Sequence, residues 1–190
     1  MTTAAFEFLA NDEGDTDRFG AALAQFLPAG AVVALVGTLG AGKTRLVQAV
    51  AKAIGIDPSA VLSPTFVLVH EYRVQGSGFR VQGETIPSVR GATPIQKSPA
   101  SNAQPPVSAI YHIDAYRIRD DDEFRELGPE EYFDSDGWTF IEWADRVVEC
   151  LAPEYLQINI EVTGPTARRF NVAPRGRTFD DLSKELRAIL

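Results

Sequence analysis

One segment of the chain is apolar at every position: residues 31–36 read AVVALV. A short uninterrupted apolar run of this kind is typical of a strand that is buried on both faces of a sheet. A second apolar pattern follows at the spacing of one helix face, and its members are Leu46, Val47, Val50 and Ile54. The two patterns predict a buried strand, a connecting segment over residues 37–44, and a helix that ends near Gly55.

Weaker patterns predict two elements before this strand. The first is a short strand over residues 5–9, where apolar and polar residues alternate. The second is a helix that is capped by Asp15 or Thr16 and runs to about Leu27. Its apolar face comprises Phe19, Leu23 and Phe26.

Strand patterns and short helical patterns alternate in the rest of the chain. After a loop over residues 63–65, the predicted strands begin at Phe66 and then cover 108–113, 138–141, 156–162 and 168–173, the last two as a hairpin. The predicted helical segments are one or two short helices within 117–133, a turn or two over 144–151, and a C-terminal helix over 180–190. This order predicts a three-layer α/β fold with a mostly parallel central sheet and antiparallel C-terminal strands.

Residues 75–107 differ from the rest of the chain in composition. About half of this segment is Gly, Pro, Ser or Gln, and its apolar residues are scattered. Such a composition buries too little apolar surface to offset the entropy lost on ordering. We therefore expect a flexible insert within a single domain that spans residues 1–190, because strand patterns resume after it.

Composition excludes several classes of protein. The 190 residues carry a formal net charge of -8, which is unfavourable for binding nucleic acid through its phosphates. One cysteine, Cys150, and two histidines cannot form an internal disulfide or a Cys/His zinc site of the usual kind. The sequence contains no apolar run long enough to cross a bilayer, and its N-terminus becomes acidic too early for a signal peptide. These features predict a cytoplasmic protein with no membrane association.

The segment that joins the buried strand to its helix reads GTLGAGKT, from Gly37 to Thr44. G-x-x-x-x-G-K-T between a strand and a helix is the pattern of a P-loop, whose backbone N–H groups surround phosphate oxygens at a helix N-terminus. We expect Lys43 to contact the β- and γ-phosphates and the Thr44 hydroxyl to bind Mg2+. This motif makes the predicted fold P-loop NTPase-like. The predicted nucleotide-binding residues are Gly37, Leu39, Gly40, Ala41, Gly42, Lys43, Thr44 and Arg45.

Two carboxylates follow predicted strands directly. Asp114 ends the run AIYHI and Glu142 ends the run WTFI. Ligands of open α/β sheets bind at the carboxyl ends of the strands, so both acids are candidates for the Mg2+ shell or for orienting an attacking water. The sequence leaves the division of these two roles open. A helix cap or a surface salt bridge is the structural alternative for either acid.

Other side chains are weaker candidates for the same site. Thr65, in the loop SPTF, is a candidate sensor of the γ-phosphate and completes the predicted catalytic set with Asp114 and Glu142. Arg117 is positioned to stabilise phosphate charge or to pair with an acid, and Arg168 and Arg169 face either the nucleotide or solvent. Trp143 is expected in the core, with a platform for a partner as the alternative.

Four motifs in order, GTLGAGKT, SPTF, YHIDAYR and FIEWADR, resemble the TsaE family of bacterial ATPases for tRNA threonylcarbamoyladenosine synthesis. The resemblance covers residues 32–146 apart from the insert. It implies that the protein binds ATP with Mg2+, hydrolyses ATP slowly, and docks on a heterodimer of the TsaB and TsaD type. Contact with tRNA is then indirect, through that complex.

The resemblance also assigns roles to individual positions. By position, Lys43 and Thr44 match the phosphate and metal residues of the family, Asp114 and Glu142 match its acids, and Trp143 matches its motif tryptophan. The chain departs from the family pattern at three positions. Thr38 replaces an acid, Arg45 replaces a second hydroxyl and Ala115 replaces a larger apolar residue. Arg45 is expected to place a long cation near the phosphates.

Two further functions are compatible with the motifs. One is an interaction module that is controlled by nucleotide and has negligible turnover, and the other is a small-molecule P-loop kinase. The kinase requires an arginine-rich lid, whereas residues 75–107 contain only Arg80 and Arg90. A GTPase is disfavoured because the sequence has no N-K-x-D motif for guanine.

Overall fold

The computed structural model describes residues 5–74 and 107–190, and one mixed sheet organises this part of the chain. Its seven strands are β1 (Phe6–Ala10), β2 (Val32–Val36), β3 (Val69–Arg73), β4 (Ala109–Asp114), β5 (Trp138–Glu142), β6 (Tyr155–Val162) and β7 (Arg168–Arg175). Their spatial order is β1-β7-β6-β2-β5-β4-β3. The helices are α1 (Glu13–Phe26), α2 (Lys43–Ala53), α3 (Asp121–Arg125), α4 (Pro129–Phe133) and α5 (Leu182–Ile189).

The centre of the sheet is parallel and its edges are antiparallel. Strands β6, β2, β5 and β4 run in one direction, while β3 pairs antiparallel with β4, and β7 pairs antiparallel with both β6 and β1. Parallel pairing aligns the carboxyl ends of neighbouring strands, and Asp114 lies directly opposite Glu142. The predicted α/β fold with antiparallel C-terminal strands is confirmed.

Strand β2 is buried on both faces because helical layers cover both sides of the sheet. Val33 and Leu35 face one core with α1, α2 and α5, whereas Val32 and Ala34 face a second core with α3 and the turns after β5. The alternation of side chains along a strand produces this division. The uninterrupted apolar run in the sequence is therefore the pattern of the central strand of a three-layer fold.

The start of α1 differs from the sequence prediction. Asp12, rather than Asp15 or Thr16, is the N-cap, and its side chain accepts a hydrogen bond of 2.9 Å from the Asp15 N–H. The Asp15 carboxylate in turn accepts a hydrogen bond of 2.9 Å from the Asn11 N–H. Asp15, at the third helical position, therefore holds the residue that precedes the N-cap and stabilises the start of the helix. A run of several candidate caps in NDEGDT made this assignment ambiguous from sequence.

Helix α2 ends as predicted, at a glycine. Gly55 has a left-handed φ of 86°, and its N–H and that of Ile56 donate to the carbonyls of Lys52 and Ala51. These two bonds satisfy the last carbonyl groups of the helix.

The strand predicted from Phe66 begins later, at Val69. The Pro64 carbonyl accepts hydrogen bonds from the N–H groups of Val67 and Leu68, and Leu68 has a left-handed φ of 68°. This turn removes residues 66–68 from the sheet. Most of the predicted insert over residues 75–107 lies outside the described residues, and Val107 is buried. In the described ranges, no helix is long and apolar enough to cross a membrane.

Candidate functional site

The connection between β2 and α2 has backbone conformations that require glycine. Gly42 is the N-cap of α2 and has a φ of 103°, which is strained for any residue with a Cβ. A Cβ on Gly37 would lie 2.7 Å from the carbonyl oxygen of Ile160 on β6. No side chain caps the N-terminus of α2, so the N–H groups of its first turn can serve an anion.

Lys43 is buried inside this loop. Its relative exposure is 5%, and its Nζ donates to the carbonyls of Gly37 at 2.8 Å and Thr38 at 3.1 Å. Nζ also lies 3.7 Å from the centroid of the Trp143 ring, a cation–π contact. Burial lowers the pKa of Lys43 below its ordinary value, and the Glu142 and Asp114 carboxylates oppose that shift.

Thr44 and Glu142 are joined directly. The Thr44 hydroxyl donates to Glu142 Oε1 at 2.6 Å, and His112 Nε2 lies 2.8 Å from the same oxygen. An ionised carboxylate only accepts hydrogen bonds, so we assign His112 the tautomer that carries a proton on Nε2. No residue in the described ranges bonds to His112 Nδ1, which agrees with this tautomer. Two donors on Oε1 thus fix the carboxylate beside the start of α2.

Asp114 binds the loop that follows α2. Its Oδ2 accepts hydrogen bonds from the hydroxyls of Thr65 at 2.6 Å and Ser63 at 3.2 Å, and its Oδ1 accepts the Tyr116 N–H at 2.8 Å. The predicted sensor Thr65 therefore contacts the carboxylate that ends β4. The two strand-end acids have different partners: Glu142 faces the P-loop and Asp114 holds the SPTF loop.

Arg45 lies against α1, and its guanidinium has carboxylate partners there. It pairs with the Asp17 carboxylate, and its Nε lies 3.6 Å from Glu13 Oε2. Lys52, two turns further along α2, pairs with the other oxygen of Asp17 at 2.7 Å. The long cation expected near the phosphates is thus an ion-pair partner of α1, while the backbone N–H of Arg45 stays in the first turn of α2.

The remaining arginines have distinct environments. Arg117 packs over the Phe66 ring, with its Cζ 4.3 Å from the ring centroid. Arg168 reaches the P-loop and donates from Nε to the Ala41 carbonyl at 2.8 Å. Arg169 faces the other way and bonds to Glu161 at 3.1 Å. Arg117 therefore pairs with an aromatic ring rather than with an acid.

Trp143 packs against the second core, as expected, and its ring also lies over Lys43. Its backbone is left-handed, with a φ of 58°, and its half-buried ring packs on Tyr116 at 4.9 Å between centroids. A φ in this region is strained for an aromatic residue, and such strain concentrates at functional sites. This backbone conformation, directly after Glu142, directs the ring over Lys43.

A cavity of about 480 Å³ unites these residues. Its lining includes Leu39, Gly40, Gly42, Lys43, Thr44, Arg45, Thr65, Asp114, Glu142 and Trp143. A larger cavity of about 590 Å³ lies around residues 29–32 at the start of β2, away from the P-loop. The smaller cavity is the candidate site, because the uncapped N-terminus of α2, a lysine and two strand-end acids meet there.

A family model described as "Threonylcarbamoyl adenosine biosynthesis protein TsaE" matches residues 10–82 and 96–170. The chain belongs to the TsaE family. A TsaE protein of Synechocystis is 34% identical over 151 residues, which are 77% of this chain and 75% of that protein. One from Bacillus subtilis is 32% identical over 163 residues, 86% of this chain and 82% of that protein. The fold is similar to the crystal structure of Bacillus subtilis YdiB, with a TM-score of 0.67, 26% identity, and 99% and 97% of the two chains covered.

The region matched to the TsaE family includes one site residue that sequence reasoning missed, His112, and one whose direction it left open, Arg168. His112 is completely buried and bonds to Glu142, and Arg168 binds the P-loop. The signal for His112 was its spacing: it lies two residues before Asp114, hence on the same side of β4. For Arg168 the sequence left nucleotide and solvent as alternatives, because its contact with the P-loop depends on the packing of distant strands. Within the described ranges, no group of three or more His, Cys, Asp and Glu side chains could hold a metal ion.

Proposed function

We propose that the protein binds ATP with Mg2+ and hydrolyses it in support of tRNA threonylcarbamoyladenosine biosynthesis. The observation that carries the proposal is the hydrogen bond of 2.6 Å between Thr44 and Glu142, at the N-terminus of α2 and beside buried Lys43. Membership of the TsaE family supplies the pathway. The net charge of -8 favours indirect contact with tRNA, through a protein complex of the TsaB and TsaD type.

The phosphate groups of ATP fit the loop around α2. The first-turn N–H groups of this helix have no side-chain cap, and the helix dipole favours an anion at this end. Lys43 already holds its ammonium within the loop, on the carbonyls of Gly37 and Thr38. Phosphate oxygens can replace these carbonyl partners without unpairing the charge.

The residues present also suit Mg2+. The Thr44 hydroxyl donates its proton to Glu142, so its lone pairs remain for a cation. Mg2+ is commonly held by one or two carboxylates, with waters and substrate phosphates completing its shell. Thr44 and Glu142 would therefore hold it, and when bound it would neutralise charge on the β- and γ-phosphates.

Asp114 is then left to orient the attacking water. Its carboxylate accepts a hydrogen bond from the Thr65 hydroxyl, so a movement of either side chain would shift the other. His112 keeps the Glu142 carboxylate in place from behind. This division of roles follows from the different partners of the two acids.

Purified protein tests the proposal directly. We expect ATP to be converted to ADP and phosphate with Mg2+ and not with excess EDTA, and turnover to rise when a TsaB/TsaD-type pair is added. Failure to bind ATP would contradict the proposal as a whole. Binding without turnover, alone and with the pair, would contradict hydrolysis only.

Binding of ATP without turnover would favour an interaction module that is controlled by nucleotide. One observation supports this second candidate: Leu39, which lines the candidate cavity, and Phe66, which follows Thr65 of the same lining, are each 82% exposed. Exposed apolar side chains of this size are suited to contact with a protein partner. Single-turnover hydrolysis with and without the TsaB/TsaD-type pair distinguishes the two candidates.

Two substitutions of His112 should distinguish the effect of its hydrogen bond to Glu142 from the effect of its side-chain volume. In His112→Gln the amide nitrogen can take the place of Nε2 and donate to Glu142, whereas the shorter side chain of His112→Asn cannot reach. A hydrogen bond to a charged group contributes about 1.5–3 kcal/mol, so we expect ATP hydrolysis to fall at least ~10-fold in His112→Asn and about threefold or less in His112→Gln. Steady-state hydrolysis measures this, with His70→Gln as control. Equal losses in the Gln and Asn variants would contradict a positioning role for His112.

A further inference from the structure

The first residue of β7, Arg168, is bound to the P-loop by hydrogen bonds to backbone only. Its Nε donates to the Ala41 carbonyl at 2.8 Å and its Nη2 lies 3.5 Å from the Gly40 carbonyl. Its Nη1 donates to the carbonyls of Gly164 and Ala167 at 3.1 and 2.8 Å. One guanidinium therefore connects the hairpin between β6 and β7 to two consecutive peptide groups of the P-loop.

The charge of Arg168 has no acidic partner in the described ranges, unlike that of its neighbour. Arg169 lies near Glu7 and Glu161, at 3.6 and 3.1 Å. Every partner found for Arg168 is a neutral carbonyl. A half-buried cation without a carboxylate generates a positive potential at the P-loop, which an anionic ligand can use.

The hydrogen bonds of Arg168 also orient the P-loop peptides. In a trans peptide the C=O and N–H groups point in opposite directions. Because the Ala41 carbonyl is directed at Arg168, the Gly42 N–H is directed away from it. Gly42 has a left-handed backbone and no Cβ, so its peptide planes need an external partner to fix them. Arg168 supplies that partner.

Space for a ligand adjoins Arg168. A cavity of about 240 Å³ is lined by Arg168 together with Gly40, Gly42 and Arg45, which also line the candidate site. Its acidic lining residue, Glu13, lies 3.6 Å from Arg45 Nε. A polyphosphate chain on the P-loop would therefore lie close to the guanidinium. Arg45, the other cation of this cavity, is neutralised by Asp17.

We propose that Arg168 is a positioning residue of the phosphate site, which holds the Gly40–Gly42 backbone in its anion-binding conformation and adds an unpaired positive charge. The proposal rests on the proposed ATP binding. It assigns to the C-terminal hairpin a direct part in nucleotide affinity, and it predicts that the triphosphate is the moiety that responds to Arg168.

Calorimetric titration of ATP and of inorganic tripolyphosphate tests this assignment. We expect Arg168→Gln to raise the dissociation constant of both ligands about 10-fold. Arg168→Lys should raise both about threefold, because it keeps the charge and loses the forked hydrogen bonds. Arg169→Gln, the matched neighbour, should stay within about twofold of the wild type, and thermal unfolding of the ligand-free variants shows whether each is folded.

The outcomes separate the inference from the proposed function. A wild-type protein that binds neither ligand contradicts ATP binding itself. Wild-type binding with unchanged affinity in folded Arg168→Gln contradicts the role of Arg168 alone. If the Gln variant does not fold, unchanged affinity in Arg168→Lys has the same meaning. Weakened ATP binding with unchanged tripolyphosphate binding also overturns the proposal, because it would place Arg168 at the nucleoside.

Discussion

Replacing Lys43 by methionine should raise the dissociation constant for ATP about 100-fold, since charge-assisted hydrogen bonds to phosphate contribute up to about 3 kcal/mol. Methionine keeps the unbranched stem that packs under Trp143 and removes only the ammonium. Calorimetric titration of ATP measures the loss. Lys52→Met, on the exposed side of the same helix, is the control and should bind ATP as the wild type does.

The same substitution should leave the ligand-free protein at least as stable. Burial lowers the pKa of Lys43 from its ordinary value of 10.5, so the folded state binds this proton less tightly than the unfolded state. Between the lowered pKa and 10.5 the unfolded state therefore holds more protons, and the stability of the wild type relative to Lys43→Met should rise with pH. Chemical denaturation of both proteins at a series of pH values measures this. A large fall in stability in Lys43→Met at neutral pH would show that Lys43 is structural.

The second large effect is expected at Glu142. In Glu142→Gln we expect ATP hydrolysis to fall by a factor on the order of 100 to 1,000, in the range observed for the loss of a catalytic acid–base or electrostatic group. The amide retains the shape of the carboxylate and can still accept a hydrogen bond, so ATP binding without Mg2+ should change about twofold or less. Single-turnover hydrolysis and equilibrium binding measure the two quantities separately. Glu149→Gln, on the exposed turn that follows, serves as the control.

The Mg2+ dependence distinguishes Glu142 from Asp114. Because Glu142 is bonded to Thr44, Glu142→Gln should increase the Mg2+ concentration needed for half-maximal hydrolysis. Asp114→Asn should lower the rate with an unchanged Mg2+ midpoint, because Asp114 is bonded to Thr65. Interchanged results would reverse the assignment of the metal and water roles. Equal loss of ATP binding and hydrolysis in Glu142→Gln would make Glu142 structural.

The sequence predicted those features that depend on local pattern and on the geometry of parallel sheets. An apolar run, a glycine motif and a helical apolar face fixed the order of β2, the P-loop and α2. Asp114 and Glu142 could be expected together because parallel strands end at the same edge, and their register bears this out. The glycine at the end of α2 was predictable from local pattern, because it caps the helix that it directly follows.

Features that depend on distant contacts were not predictable. The burial of Lys43 results from Trp143, which follows a strand about one hundred residues later in the chain. The late start of β3 results from the turn at Pro64, which the Thr65 hydroxyl attaches to the distant Asp114 carboxylate, although β-branched and aromatic residues favoured an extended chain. The direction of Arg45 depends on acids of α1, which the P-loop motif does not include. Local propensity is outweighed in each case by tertiary packing.

The ion pair between Arg45 and Asp17 has a consequence for the divergence of related chains. In this chain the side chain that follows the P-loop threonine pairs with Asp17 of α1, so it serves the contact between α1 and α2. Residues 17 and 45 should accordingly co-vary among relatives, with an acid at 17 accompanying a cation at 45. A hydroxyl at position 45 would remove the need for an acid at position 17. Arg45, where this chain departs from the motif, thus pairs with α1 through its side chain. The P-loop backbone stays available to its ligand.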